Sequence, residues 1–190
     1  MDINQFVLQG GANMSVLEFH KLIAKAIERN FCTTPQVAED HLTFQAIEPG
    51  FGVEIIMKAF EPEPNNQAVK ICLWFCNPDS SRMDFGTIEY TDVLLLCNTL
   101  SYEIDWGVII PLQYGETNIG ICLTSTIDTA VDDVETMRKM DHSSILLRNM
   151  FRLCQSAEHI YPVLYGVSTG QITSFDSIEC FLAEDTESTQ

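Results

Sequence analysis

Seven cysteines, four histidines and a surplus of carboxylates are the residues of this chain that could do chemistry, and their spacing decides whether any set converges. A zinc site needs four ligands within about 2.0–2.3 Å of one ion, which in sequence means Cys or His pairs a few residues apart. Among Cys32, Cys72, Cys76, Cys97, Cys122, Cys154 and Cys180, the close pair is Cys72 and Cys76. In an extended strand these two share a face but stand roughly 13 Å apart, too far for a common metal or a disulfide. They read as apolar filler. His20, His41, His142 and His159 have no companion at ligand spacing, and read as surface or helix-end residues.

Nucleophile signatures carry little here: the pattern Gly-x-Ser-x-Gly occurs at Gly166 to Gly170 without the preceding strand that a nucleophile elbow needs, and there is no Cys-x-x-Cys pair. The stretch Gly166-Val167-Ser168-Thr169-Gly170 lacks the lysine of a phosphate loop and follows no convincing strand, so it reads as a turn. Asp132-Asp133 reads as charge for the first turn of a helix, and paired carboxylates are cheap in so acidic a chain. No catalytic residue, metal ligand or cofactor site is expected. The chain reads as non-enzymatic.

The elements that hold these residues follow from periodicity. Ser15, three residues before Glu18, forms a capping box, and Val16, Phe19, Ile23 and Ile27 recur at helical spacing, which predicts a helix over 16–30 ending before Pro35. Leu42 to Ile47 and Val53 to Phe60 alternate around the turn at Pro49-Gly50-Phe51-Gly52 and predict a hairpin. After the breaker Glu61-Pro62-Glu63-Pro64, the branched and aromatic run Ala68 to Cys76 predicts a third strand. Tyr90 to Tyr102, with Val93, Leu94, Leu96, Cys97 and Leu100, has the spacing of a buried helix. Asp105–Leu112 and Thr117–Thr124 then predict two more strands around Gln113-Tyr114-Gly115-Glu116. A last long helix is expected over 129–160, ending just before Pro162.

The fold class expected is therefore α+β in the order α-β-β-β-α-β-β-α, an antiparallel five-stranded sheet with its helices mainly on one face. Residues 1–14 read as an N-terminal extension, 15–165 as a single domain, and 166–190 as a C-terminal extension. That extension carries Phe175, Ile178, Phe181 and Leu182 at helical spacing before a frayed acidic end.

Apolar residues at 46% against 19% charged give the balance of a folded globule. The net charge of −17, from 27 acidic and 10 basic residues, repels polyanions and argues against nucleic acid and anionic membranes as partners. No apolar run approaches the ~20 residues that span a bilayer. The odd cysteine count and a start, Met1-Asp2-Ile3-Asn4, without the basic and apolar regions of a secretory signal set the expectation of reduced thiols and a cytoplasmic location.

The element order over 15–162 resembles the type III secretion chaperone-like fold, shared by class I effector chaperones and the YbjN family. The stretches that carry the resemblance are Leu94-Leu95-Leu96-Cys97-Asn98-Thr99-Leu100, the strand ending Gly120-Ile121-Cys122-Leu123-Thr124-Ser125-Thr126-Ile127-Asp128 before a long helix, and Tyr161-Pro162-Val163-Leu164-Tyr165-Gly166-Val167, which is more like the YbjN branch. The resemblance implies a small acidic bacterial protein, often a homodimer, without enzyme activity, that holds a secreted effector-like client polypeptide on apolar patches. Membership of the YbjN branch would instead imply a regulatory or stress-related role.

The strands themselves suggest where a partner would sit. Val53, Ile55 and Met57 share one face with Val69, Ile71, Leu73 and Phe75, while Glu54, Lys58 and Lys70 mark the opposite face as the wet one. Ile56, Phe60, Cys72 and Trp74 also lie on that wet face, and large apolar side chains clustered there call for a cover. A protein partner, a second subunit and the chain's own segment around Phe175–Leu182 are the three candidates.

Overall fold

The computed structural model describes residues 15–31, 33–48, 50–63, 66–128 and 144–173. Its first helix opens with the capping box. Glu18 Oε2 accepts from the Ser15 N–H at 3.0 Å, and the Glu18 N–H lies 3.3 Å from Ser15 Oγ, so two donors that the helix start leaves open gain partners. Helix α1, Val16–Phe31, then buries Phe19, His20, Ile23, Ala24, Ala26 and Ile27 along one stripe.

Among the described residues six strands follow, where the alternation predicts five. They are β1 (Gln36–Val37), β2 (Leu42–Glu48), β3 (Phe51–Glu63), β4 (Asn66–Phe75), β5 (Val108–Tyr114) and β6 (Asn118–Asp128). They form one sheet in the order β1-β2-β3-β4-β6-β5, with every neighbouring pair antiparallel. The additional strand, β1, has two residues, too few to show a period. Between β4 and β5 runs helix α2, Tyr90–Leu100, and after β6 comes α3, Ile145–Ser168.

Two expectations need correction. Helix α3 does not stop before Pro162; it continues through it to Ser168. A proline removes one backbone donor and crowds the preceding turn, but here the ring is exposed, while Ile160, Tyr161, Val163 and Leu164 on either side of it are buried. Packing of that face outweighs the local cost. It follows that Gly166 belongs to the helix, and the turn begins at Thr169 and Gly170, the latter at φ +73°. The second correction concerns α2, which is not buried all round: Leu94 and Leu95 are 44% and 48% exposed. The expected helical start at 129–144 falls largely on residues 129–143, outside the described residues, and so does the segment from Phe175 to Leu182.

One core joins all three helices to one face of the sheet. Val53, Ile55 and Met57 of β3 and Val69, Ile71, Leu73 and Phe75 of β4 meet Phe19 and Ile27 of α1, Val93 and Leu100 of α2, and Leu147, Met150 and Leu153 of α3. Each such side chain contributes about 1.5–3 kcal/mol by leaving water. Among the described residues, the sheet has an inner face covered by helices and an outer face without them.

Candidate functional site

Register assigns the outer face. In β3 and β4 the pairs Glu54–Trp74, Ile56–Cys72, Lys58–Lys70 and Phe60–Ala68 stand opposite one another. Across β4, β6 and β5 the same rows continue as Trp74–Cys122–Ile110 and Cys72–Thr124–Val108. Ile56 and Cys72 are thus direct neighbours, Trp74 lies in the next row, and Phe60 sits two rows away on the other side. All four residues marked by the sequence share this face, as the alternation of the strands requires.

Their exposure differs. Ile56, Phe60 and Cys72 are half-buried, whereas Trp74 is 9% exposed. Among the described residues, cover over Trp74 comes from a loop of the chain that was not among the three candidates. After β4 the chain turns through Asn77–Ser81 and returns alongside the end of the strand by an isolated bridge between Cys76 and Arg82. Met83 and Phe85 then enter the core while Arg82 lies over the outer face. Its guanidinium sits 4.3 Å from the centroid of the Trp74 ring and 5.8 Å from that of Tyr114, and its Nη2 pairs with Glu54 Oε2 at 2.6 Å. Tyr114 meets Trp74 edge-on at 6.0 Å. Beneath the indole lies Gly120, where a Cβ would come within 2.7 Å of Trp74 Cζ3. Asp84 fixes the returning loop by accepting from the Gly86 and Ile119 N–H groups at 2.9 and 3.1 Å. A breaker-rich loop gives no periodic signal, so nothing in the sequence pairs Arg82 with Trp74.

Beside this covered corner lies an open apolar strip running from Ile56 through Cys72 and Thr124 to Val108, which is 58% exposed. Lys58 and Lys70, directly opposed and both exposed, flank it. Two like charges in register are mildly unfavourable, and the Asp40 carboxylate, 3.9 Å from Lys58 Nζ, relieves part of that. In a chain of net charge −17 the two lysines stand out beside this apolar strip, while Asp40, Glu54 and Asp128 balance them and Arg82 across the face.

Two thiols belong to the same face. Cys122 is diagonal to Cys72, one row over on the adjacent strand, and its S–H donates to the Leu123 carbonyl oxygen at 3.6 Å. The neighbouring Cys122 thiol, with smaller help from Thr124 and the Lys70 charge and against the cost of burial, brings the Cys72 thiol down to about 6. Cys122 is shifted the opposite way, first by the neighbouring Cys72 and then by burial. Burial alone pushes Cys97 up to about 12. Cys72 is therefore not inert filler; its companion is 50 residues away in sequence and becomes visible once the strand register is known.

Elsewhere, His20 departs from the expected surface position: it is buried, and its Nε2 accepts the Ala59 N–H at 3.0 Å. His41 bonds Asp40 at 2.7 Å, and His159 is exposed on α3. An open cleft of about 580 Å³ beside α3 is lined by Trp106, Arg152, Ser156 and His159 among others, with the Arg152 guanidinium 5.3 Å from the Trp106 ring centroid. Among the described residues no group of three or more His, Cys, Asp or Glu is placed to hold a metal, and no helix is long and apolar enough to cross a membrane. No family model, curated protein or solved structure matches the chain.

Proposed function

We propose that this chain is a non-enzymatic protein-binding module, an acidic cytoplasmic chaperone or adaptor that docks a partner polypeptide on the outer face of its sheet. The observation that supports this reading most is the one-sided distribution of the helices. Among the described residues, all three helices pack on the inner face, and the strip from Ile56 to Val108 stays partly open on the other, with Phe60 and the walled Trp74 beside it. Half-exposed apolar side chains in neighbouring rows suit alternate side chains of an extended client, and the flanking Lys58 and Lys70 suit an acidic or neutral stretch of it. The element order that resembles the secretion chaperone-like fold points to the same kind of activity.

The experiment is co-purification of the full chain with identification of what accompanies it, alongside the double variant Ile56→Lys, Val108→Lys. Both positions face outward, so the variant is expected to keep the wild-type circular dichroism and to lose the accompanying polypeptide. A variant that stays folded and retains every partner at wild-type yield rejects this face as the docking surface. Loss of self-association in the variant, with no other polypeptide captured by the wild type, identifies a second copy of the chain as the occupant and rejects the client reading.

A further inference from the structure

We propose that Cys72 is a thiol oxidation site for hydroperoxides, with Cys122 as the resolving thiol that converts the oxidised sulfur to a disulfide. The geometry consists of three groups on two paired strands. Cys72 stands opposite Thr124, and Cys122 stands opposite Trp74, which places the two cysteines on one diagonal of the outer face. Cys72 is half-buried and reachable from solvent, while Cys122 is fully covered. Thr124 Oγ1 lies 3.5 Å from the Cys72 sulfur and 3.0 Å from the Ile71 carbonyl oxygen, so its single proton can turn toward whichever acceptor carries more charge. Lys70 adds a positive charge on the same strand and face.

A half-exposed thiolate with a hydroxyl beside it and a lysine on the same face is the arrangement in which sulfur reacts as a nucleophile. The remaining described cysteines lack it: Cys76 and Cys97 are buried, and burial raises both, as it raises Cys154.

The chemistry balances as follows. The Cys72 thiolate attacks the terminal peroxide oxygen, the O–O bond breaks, and the departing oxygen takes a proton and leaves as water or an alcohol. The sulfur, oxidised by two electrons, becomes a sulfenic acid. Cys122 then gives up its proton and its sulfur attacks the Cys72 sulfur, forming the S–S bond and expelling hydroxide, which leaves as water. In sum, two thiols and one hydroperoxide become one disulfide, one water and one water or alcohol.

Diagonal positions in an antiparallel pair stand about 7–8 Å apart at Cα, beyond the ~4.4–6.8 Å of disulfides, so closing the bond requires the backbones of the two strands to move together. The shift would fall in the middle of the strip that includes Ile56, which couples the oxidation state to partner docking; that consequence rests on the docking reading, while the thiol chemistry does not.

The test uses the reduced full chain with no partner added, so that it stands or falls independently of docking. On native protein, the rate of alkylation of Cys72 by iodoacetamide, mapped by peptide mass spectrometry, is expected to have its pH midpoint below neutrality and to exceed the rates at Cys97 and Cys154 by at least about tenfold at pH 7. Substoichiometric hydrogen peroxide should link the Cys72 and Cys122 peptides. In Cys122→Ala the product should stop at a sulfenic acid on Cys72 that dimedone traps, and in Cys72→Ser neither position should react. A midpoint in the ordinary thiol range near 8.5, measured on the wild type and so independent of any folding defect in a variant, overturns the proposal. Peroxide consumption with equal modification of Cys97, Cys154 and Cys72 overturns it too.

Discussion

The guanidinium of Arg82 lies 4.3 Å from the centroid of the Trp74 ring while its Nη2 and Nε both reach Glu54 Oε2, at 2.6 and 2.7 Å. Arg82 comes from the loop after β4, Trp74 and Glu54 from opposed positions on β4 and β3, so one side chain ties the loop to two strands. Stacking on an indole is worth about 0.5–2 kcal/mol, and a part-buried, doubly bonded ion pair somewhat more than the ~0.2–1 kcal/mol of an exposed one.

Arg82→Ala is therefore expected to lower the unfolding free energy by about 1–3 kcal/mol, read from the urea midpoint, and to expose Trp74. In a Trp106→Phe background the Trp74 emission should shift to the red in native conditions. Arg82→Lys should recover little, because an ammonium can neither stack flat on the ring nor bond Glu54 through two nitrogens. An unchanged midpoint and emission would mean that Trp74 is held by Tyr114 and Gly120 alone.

How much of this was legible in the sequence depends on the range of the interaction. Helix α1 and the hairpin β2–β3 are written in local signals, a capping box and a strict alternation, and appear within two residues of where those signals place them, except that β3 runs on to Glu63, three residues past Phe60 and into the expected breaker. The outer-face location of Ile56, Phe60, Cys72 and Trp74 is equally local, since parity along a strand fixes the face. Their surroundings are not. Arg82 over Trp74, Gly120 beneath it and Cys122 beside Cys72 are set by strand order and by a loop without periodicity, and neither can be read from one chain's spacing. Helix α3 shows the opposite failure, where a strong local signal at Pro162 lost to packing on both sides of it.

Pro162 supplies the second prediction. It sits inside α3 on the exposed side, where a residue with an N–H would bond the carbonyl of Glu158. Interior proline costs about 3 kcal/mol relative to alanine in an exposed helix. Pro162→Ala is expected to raise stability by about 1–3 kcal/mol, seen as a higher urea midpoint with an unchanged slope. A destabilised variant would show instead that the local bend at the proline positions Tyr161, whose hydroxyl donates to the Cys76 carbonyl oxygen at 2.8 Å.

The last prediction concerns pH and rests on His20. Its Nε2 must stay unprotonated to accept the Ala59 N–H, and the ring is enclosed between α1 and β3. Desolvation is the main cause that depresses its pKa; the neighbouring His41 acts in the same direction, and the Asp40 carboxylate opposes both. Its folded value therefore lies below the unfolded value of about 6.5. Between those two values the unfolded chain holds a proton that the native one does not, so the free energy of unfolding rises with pH across that window. The stability is present above pH 6.5 and is lost as the pH falls toward the folded value, at up to ~1.4 kcal/mol per pH unit. Glu18, Asp40 and Asp79, whose pKa values are also lowered, act below their ordinary values of 4.5, 3.8 and 3.8, whereas Cys72, at about 6, titrates inside the window from pH 7 to 5 but does so equally in the wild type and in a His20 variant. His20→Gln keeps an acceptor for Ala59 but cannot titrate. The variant is expected to be less stable than the wild type at pH 7 by about 1–2 kcal/mol and to show a shallower decline in urea midpoint between pH 7 and 5, so that the two curves converge in acid. Parallel curves over that range would show that protonation of His20 does not govern the acid sensitivity of the fold.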